Sequence, residues 1–159
     1  MILHIQGPPM INNILIAEDD PDAQFILNYA FIEDGLAVKL DFVSDGSELF
    51  SFLKDLEHPL RADSGAYPNL ILLDIHMPYV GGKDVLVELK SHARYMHIPV
   101  ATLTSHYAEE EKIFYKDMGV VRCYTKPRFL EEYILLIKDN KRNFLQPRLL
   151  ATLPARDIF

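Results

Sequence analysis

Short apolar runs and stretches of helical spacing alternate five times along this chain, and polar residues close each run. Ile14-Leu15-Ile16-Ala17 leads into Glu18-Asp19-Asp20, and Leu70-Ile71-Leu72-Leu73 leads into Asp74. Val100-Ala101-Thr102-Leu103 meets Thr104, and a stretch around Val120-Val121 leads to Lys126-Pro127. Runs of roughly four to eight apolar residues between turn formers read as buried parallel strands. In open α/β sheets ligand chemistry collects at the carboxyl ends of the strands. Acids, a hydroxyl and a lysine delivered to one sheet edge make a small site for a divalent cation and a phosphoryl group.

The pattern predicts strands over Asn13–Ala17, Val38–Val43, Leu70–Leu73, Ile98–Leu103 and Val120–Tyr124. Asp20 before Pro21 reads as an N-cap with proline at the first helical position; Phe25, Tyr29 and Ile32 supply helical spacing up to Gly35. A second helix carries Leu49, Phe52, Leu53 and Leu56, and a third carries Val85, Leu86 and Leu89. A fourth carries Ile113, Phe114 and Met118 and stops at Gly119; the fifth carries Leu130, Tyr133, Ile134 and Ile137. Glu57 to Asn69 reads as a long surface loop with Pro59, Gly65 and Pro68. Strand–helix alternation of this kind predicts a five-stranded parallel sheet with helices on both faces.

At 159 residues the chain is long enough for one domain with a substantial core. A net charge of −7 with no long basic run disfavours nonspecific nucleic-acid binding. The single cysteine, Cys123, excludes an internal disulfide framework and fits a reducing compartment. No apolar stretch approaches the roughly 20 residues that cross a bilayer, and the N-terminus lacks a basic signal-peptide region. The expectation is a cytoplasmic protein with no membrane segment.

Four motifs in order carry a resemblance to a family. Ile-Leu-Ile-Ala-Glu18-Asp19-Asp-Pro21, Leu-Ile-Leu-Leu-Asp74-Ile-His-Met77-Pro78 with Gly82, Ile-Pro-Val-Ala-Thr-Leu-Thr104-Ser and Tyr-Thr-Lys126-Pro127 resemble the receiver domain of bacterial two-component response regulators. The resemblance covers residues 12–140, with residues 1–11 as an N-terminal extension and 141–159 as a tail that packs or dimerises. It implies the flavodoxin-like, doubly wound (βα)5 fold. By resemblance Asp74 is the phosphoacceptor, a carboxylate nucleophile that becomes an acyl phosphate. Asp19 and Asp74 bind Mg2+ directly, Glu18 acts mainly through water, and the backbone carbonyl of His76 completes the protein ligands. Lys126 and the Thr104 hydroxyl contact phosphoryl oxygens, so the chemistry is positioning plus electrostatic stabilisation.

Two positions depart from the family pattern. Cys123 stands where an aromatic switch residue is usual, with Tyr124 one place later, and strand alternation points the two to opposite faces. Gly81 stands where an acid often precedes the glycine. His76 and His106 each follow a site residue by two positions and are expected to influence phosphoryl lifetime, or else to be solvated loop residues.

The resemblance implies a histidine kinase or a histidine phosphotransfer protein as partner and signalling through protein contacts, with self-catalysed phosphorylation and no other enzyme activity. The long second loop looks like that of single-domain regulators paired with phytochrome-type or other hybrid histidine kinases. The residues after 140 are too few for a DNA-binding domain, and their leucines allow packing or a homodimer. The alternative reading, favoured by Cys123, is an unphosphorylated receiver-like docking module.

Overall fold

A computed structural model describes residues 12–35, 38–58, 67–106 and 108–143. Its elements run β1 (Asn12–Ala17), α1 (Pro21–Glu33), β2 (Val38–Val43), α2 (Gly46–Asp55), β3 (Leu70–Asp74), α3 (Gly82–Ser91), β4 (Val100–Thr104), α4 (Glu109–Asp117), β5 (Arg122–Thr125) and α5 (Leu130–Asn143). All neighbouring strands pair in parallel, in the order β2-β1-β3-β4-β5. The chain moves outward from β1 to β2, then crosses back to β3, so the order reverses between β1 and β3. That switch point opens a crevice at the strands' carboxyl ends. The expected five-stranded, doubly wound architecture is the one observed.

Strand alternation divides the interior into two layers. Leu15, Ala17, Ile71 and Leu73 face one side, where Leu49 and Leu53 of α2, Val85, Leu86 and Leu89 of α3, and Tyr115 of α4 cover them. Ile14, Ile16, Leu70, Leu72, Ala101 and Leu103 face the other side, under Leu27, Ala30 and Phe31 of α1 and Tyr133, Leu136 and Ile137 of α5. Because β3 is buried on both sides, all five of its residues are inside, the acid included. Complete burial of each large aliphatic chain stabilises the fold by about 1.5–3 kcal/mol.

Helix ends follow local chemistry. Asp20 caps α1 by accepting from the Asp22 amide, and Asp45 caps α2 by accepting from the Glu48 amide. α4 closes on Gly119 at φ 69°, where the Gly119 amide reaches Lys116 O and the Val120 amide reaches Tyr115 O. This is the Schellman arrangement, which only a residue comfortable at positive φ completes without strain. The Val120 amide is therefore spent on the helix, and β5 starts at Arg122 rather than at the expected Val120. β4 likewise starts at Val100 rather than Ile98. Pro99 has no N–H to give the ladder, and the Ile98 amide turns back to Tyr95 O.

The apolar positions read on α1 face outward, as does Ile113 of α4, whereas Phe114 and Met118 pack part-buried against the core. Phe25, Tyr29 and Ile32 lie on the solvent side of α1, at 71%, 43% and 65% exposure, while Ala23, Leu27, Ala30 and Phe31 face the sheet. α1 is apolar on two sides, so spacing alone does not choose which is buried. On α4, Ile113 is exposed and Tyr115 is the fully buried residue. α5 continues through Asn143, three residues into the segment expected as tail. Residues 1–11, 59–66 and 144–159, where the extension, most of the long loop and the apolar tail fall, lie outside the described residues. Among the described residues no helix is long and apolar enough to cross a membrane.

Candidate functional site

The switch-point crevice receives Glu18 and Asp19 from the end of β1, Asp74 from the end of β3, and Lys126 from the end of β5. Glu18 is fixed on three sides. Its amide donates to Val43 O at 3.0 Å, its carbonyl accepts from Gln24 Nε2 at 2.6 Å, and its Oε1 accepts from the Asp20 amide at 3.0 Å. Glu18 is 0% exposed and Asp74 2%. Two enclosed carboxylates need a cation, and Lys126 Nζ supplies one, donating to Glu18 Oε1 at 2.8 Å and Asp74 Oδ2 at 2.9 Å. The Lys126 amide also donates to Thr104 O at 2.7 Å, which ties the end of β5 to β4.

Burial alone would favour the neutral amine of Lys126, but its bonds to Glu18 and Asp74 outweigh it and hold the ammonium charged well above its usual range. Burial pushes the Glu18 carboxyl up, against the opposing bonds from Lys126 and the Asp20 amide. Glu18 is wholly enclosed while Lys126 is partly open, so desolvation wins at the acid and pairing wins at the amine.

Carboxylate oxygens of Glu18, Asp19 and Asp74 lie within 4.8 Å of one another, as a cation site needs. Glu18 Oε2 is buried with no hydrogen-bond partner among the described residues, which leaves a lone pair for a ligand from outside the chain. Oxygen donors of this kind suit a hard divalent ion.

The loop after Asp74 is shaped around it. The His76 amide donates to Asp74 Oδ1 at 2.9 Å, and the Gly82 amide donates to Ile75 O at 3.1 Å. A β-carbon on Gly82 would lie 2.5 Å from Asp74 O, so only glycine lets α3 start this close to the acid. Tyr79, in the same loop, holds φ 61° with its side chain 92% exposed.

Thr104 stands at the end of the neighbouring strand with its hydroxyl turned into its own loop. It donates to His106 O at 2.9 Å and accepts from the His106 amide at 3.4 Å. His76 Nδ1 is also 3.4 Å from Thr104 Oγ1, which joins the loops that follow β3 and β4. The fold thus gathers Glu18, Asp19, Asp74 and Lys126, and sets Thr104 and His76 beside them. Gln24 was not legible beforehand, since no sequence pattern marks a glutamine one turn into a helix as a clamp on a distant carbonyl.

Cys123 and Tyr124 divide as alternation requires. Cys123 packs on the α4 side, Tyr124 on the α1–α5 side. The Tyr124 hydroxyl donates to Asp139 Oδ2 at 2.5 Å, and Arg122 donates to the same carboxylate from Nε at 3.1 Å and Nη2 at 3.2 Å. The aromatic ring of β5 is therefore anchored to α5, away from Thr104.

Residues 14–138 match the response regulator receiver domain family. The chain is 29% identical over 150 residues to response regulator Rcp1 of Synechocystis sp., covering 94% of this chain and 96% of that protein. It resembles the crystal structure of the Mn(2+)-bound form of Rcp1 at TM-score 0.72 and 28% identity, covering 91% of this chain and 99% of that one. The crystal structure of the phosphorylated cyanobacterial phytochrome response regulator RcpA matches at TM-score 0.74, with 28% identity and the same coverage. The family match spans most of the chain, and the chain belongs to the response regulator receiver domain family of signalling proteins.

Proposed function

We propose that the chain accepts a phosphoryl group on Asp74, with Mg2+, from a histidine kinase or a histidine phosphotransfer protein in the cytoplasm, and signals through protein contacts. The observation that carries this reading is the buried Asp74 carboxylate, held between Lys126 Nζ and the His76 amide with two further acids alongside. In this reading residues 12–140 are the signalling unit.

Glu18, Asp19 and Asp74, with the backbone carbonyl of His76, would hold the ion. When bound, Mg2+ supplies the positive charge that lets a carboxylate and a phosphoryl group approach. One Asp74 oxygen forms the new O–P bond as the P–N bond of the donor phosphohistidine breaks, and the electron pair leaves with the imidazole nitrogen. Lys126 turns its ammonium to the phosphoryl oxygens, and Thr104 exchanges its bond to the His106 carbonyl for one to phosphate. In the reverse half of the cycle water attacks phosphorus, the O–P bond breaks, and Asp74 returns as a carboxylate with release of inorganic phosphate. The rate arises from placement and charge.

Labelling by a small acyl phosphate or phosphoramidate tests the reading. It is expected to require Mg2+ and to vanish in Asp74→Asn. The second reading, a docking module that is never phosphorylated, draws support from Cys123 and from a Tyr124 ring anchored on Asp139. A folded wild-type protein that takes no label from small donors or from histidine kinases would favour it.

A further inference from the structure

The ion pair between Lys83 and Glu111 lies outside the machinery above, yet it joins the phosphoacceptor loop to a lightly held helix. Lys83 is the second residue of α3, directly after Gly82, whose backbone abuts the carbonyl of Asp74. Its ammonium donates to Glu111 Oε1 in the first turn of α4. The other oxygen of Glu111 accepts from the Ala108 amide at 3.4 Å, so the same carboxylate caps α4. The Lys83 bond holds the Glu111 carboxyl below its usual range against the opposing effect of desolvation, and the Ala108 amide adds to the lowering. α4 packs through few residues: Tyr115 is buried, Phe114 lies part-buried against the same core, and Ile113 is 64% exposed.

We propose that the Lys83–Glu111 pair is a latch that holds the start of α4 in its resting position and loosens when Asp74 carries a phosphoryl group. The inference rests on the reading of Asp74 as phosphoacceptor. A phosphoryl group on the side chain of Asp74, whose backbone carbonyl abuts Gly82, adds negative charge that attracts Lys83 and repels Glu111. Both changes weaken the pair, and with it the cap on α4. An exposed pair adds little to global stability, but a small bias shifts two states of nearly equal energy. By linkage, breaking the latch must favour the phosphorylated state.

Beryllium fluoride with Mg2+ is the probe, a phosphoryl mimic whose binding is reversible. Its affinity is measured in the wild type and in Lys83→Met, Glu111→Gln and the double variant. Amide hydrogen exchange is followed across residues 109–117 without the mimic. Each single change also alters the local charge directly, in opposite senses, and these effects offset in the double variant. The double variant is expected to bind about three- to tenfold tighter and to exchange faster at the start of α4. Lys83→Arg is expected to stay within twofold of wild type. Wild-type affinity and unchanged exchange in the double variant overturn the latch alone. Absence of mimic binding in a folded wild type overturns the reading of Asp74 and the latch with it.

Discussion

Lys126 Nζ stands 2.9 Å from Asp74 Oδ2, so the last strand delivers a cation to the acid that ends the third. The same ammonium serves Glu18 Oε1 at 2.8 Å. A divalent ion held by Glu18, Asp19 and Asp74 would draw on the same carboxylates as this lysine.

Lys126→Met is therefore expected to tighten Mg2+ binding several-fold while abolishing phosphoryl transfer. In metal-free buffer the variant loses about 3 kcal/mol, the cost of leaving buried carboxylates without their counter-charge. Calorimetric Mg2+ titration and urea unfolding with and without a chelator measure both quantities. Unchanged metal affinity would mean that the lysine and the ion do not share ligands.

Gly82→Ala places a β-carbon against the carbonyl of Asp74, where backbone rather than a flexible side chain must give way. Forcing an extra carbon into so tight a contact costs about 2 kcal/mol. The small-donor labelling rate is expected to fall along with the urea midpoint. Wild-type behaviour in both would show that α3 can move off β3 freely.

Tyr79 holds a left-handed backbone with its ring in solvent, so little contact repays the strain. Tyr79→Asn is expected to stabilise the fold by about 0.5–1 kcal/mol, since asparagine tolerates this region better. Thermal unfolding should rise by about 2 °C. A lower midpoint would show that the ring contributes contacts of its own.

Burial pushes the Tyr115 phenol up to about 12, and it raises Tyr95 and Tyr124 further, with carboxylate bonds from Glu57 and Asp139 adding to the effect. A folded-state value above the unfolded value near 10 means that these phenols favour folding while neutral. That contribution is complete below about pH 10 and is lost as pH rises through the folded values. Absorbance near 295 nm should therefore show part of the eight tyrosines ionising only as circular dichroism reports unfolding. Ionisation of all eight near pH 10 in a native-like protein would refute the assignment.

The residues that carry charge at the strand ends were legible because each follows an apolar run, and strand direction sends every such residue to one edge. Strand starts were less legible. Pro99 and the Gly119 turn take residues out of the ladder through hydrogen bonds that an apolar pattern does not encode. The helical spacing of Phe25, Tyr29 and Ile32 marked α1 but not its buried face, because these residues are as apolar as the side that packs. Which side turns inward depends on Ala23 and Ala30, small enough to lie close on the sheet. The Thr104 hydroxyl was legible in place but not in direction. Its bond to the His106 carbonyl arises from the loop's own turn, which no motif specifies.

Neighbouring residues of the central strands, such as Leu15 and Ile16, belong to different interiors separated by a single thickness of backbone. The sheet acts as a bulkhead. A void opened beneath α3 is filled, if at all, by groups on its own side, and α1 and α5 keep their packing. Damage in the two compartments should accordingly sum rather than compound, which leaves each helical layer free to change its composition without renegotiating the other.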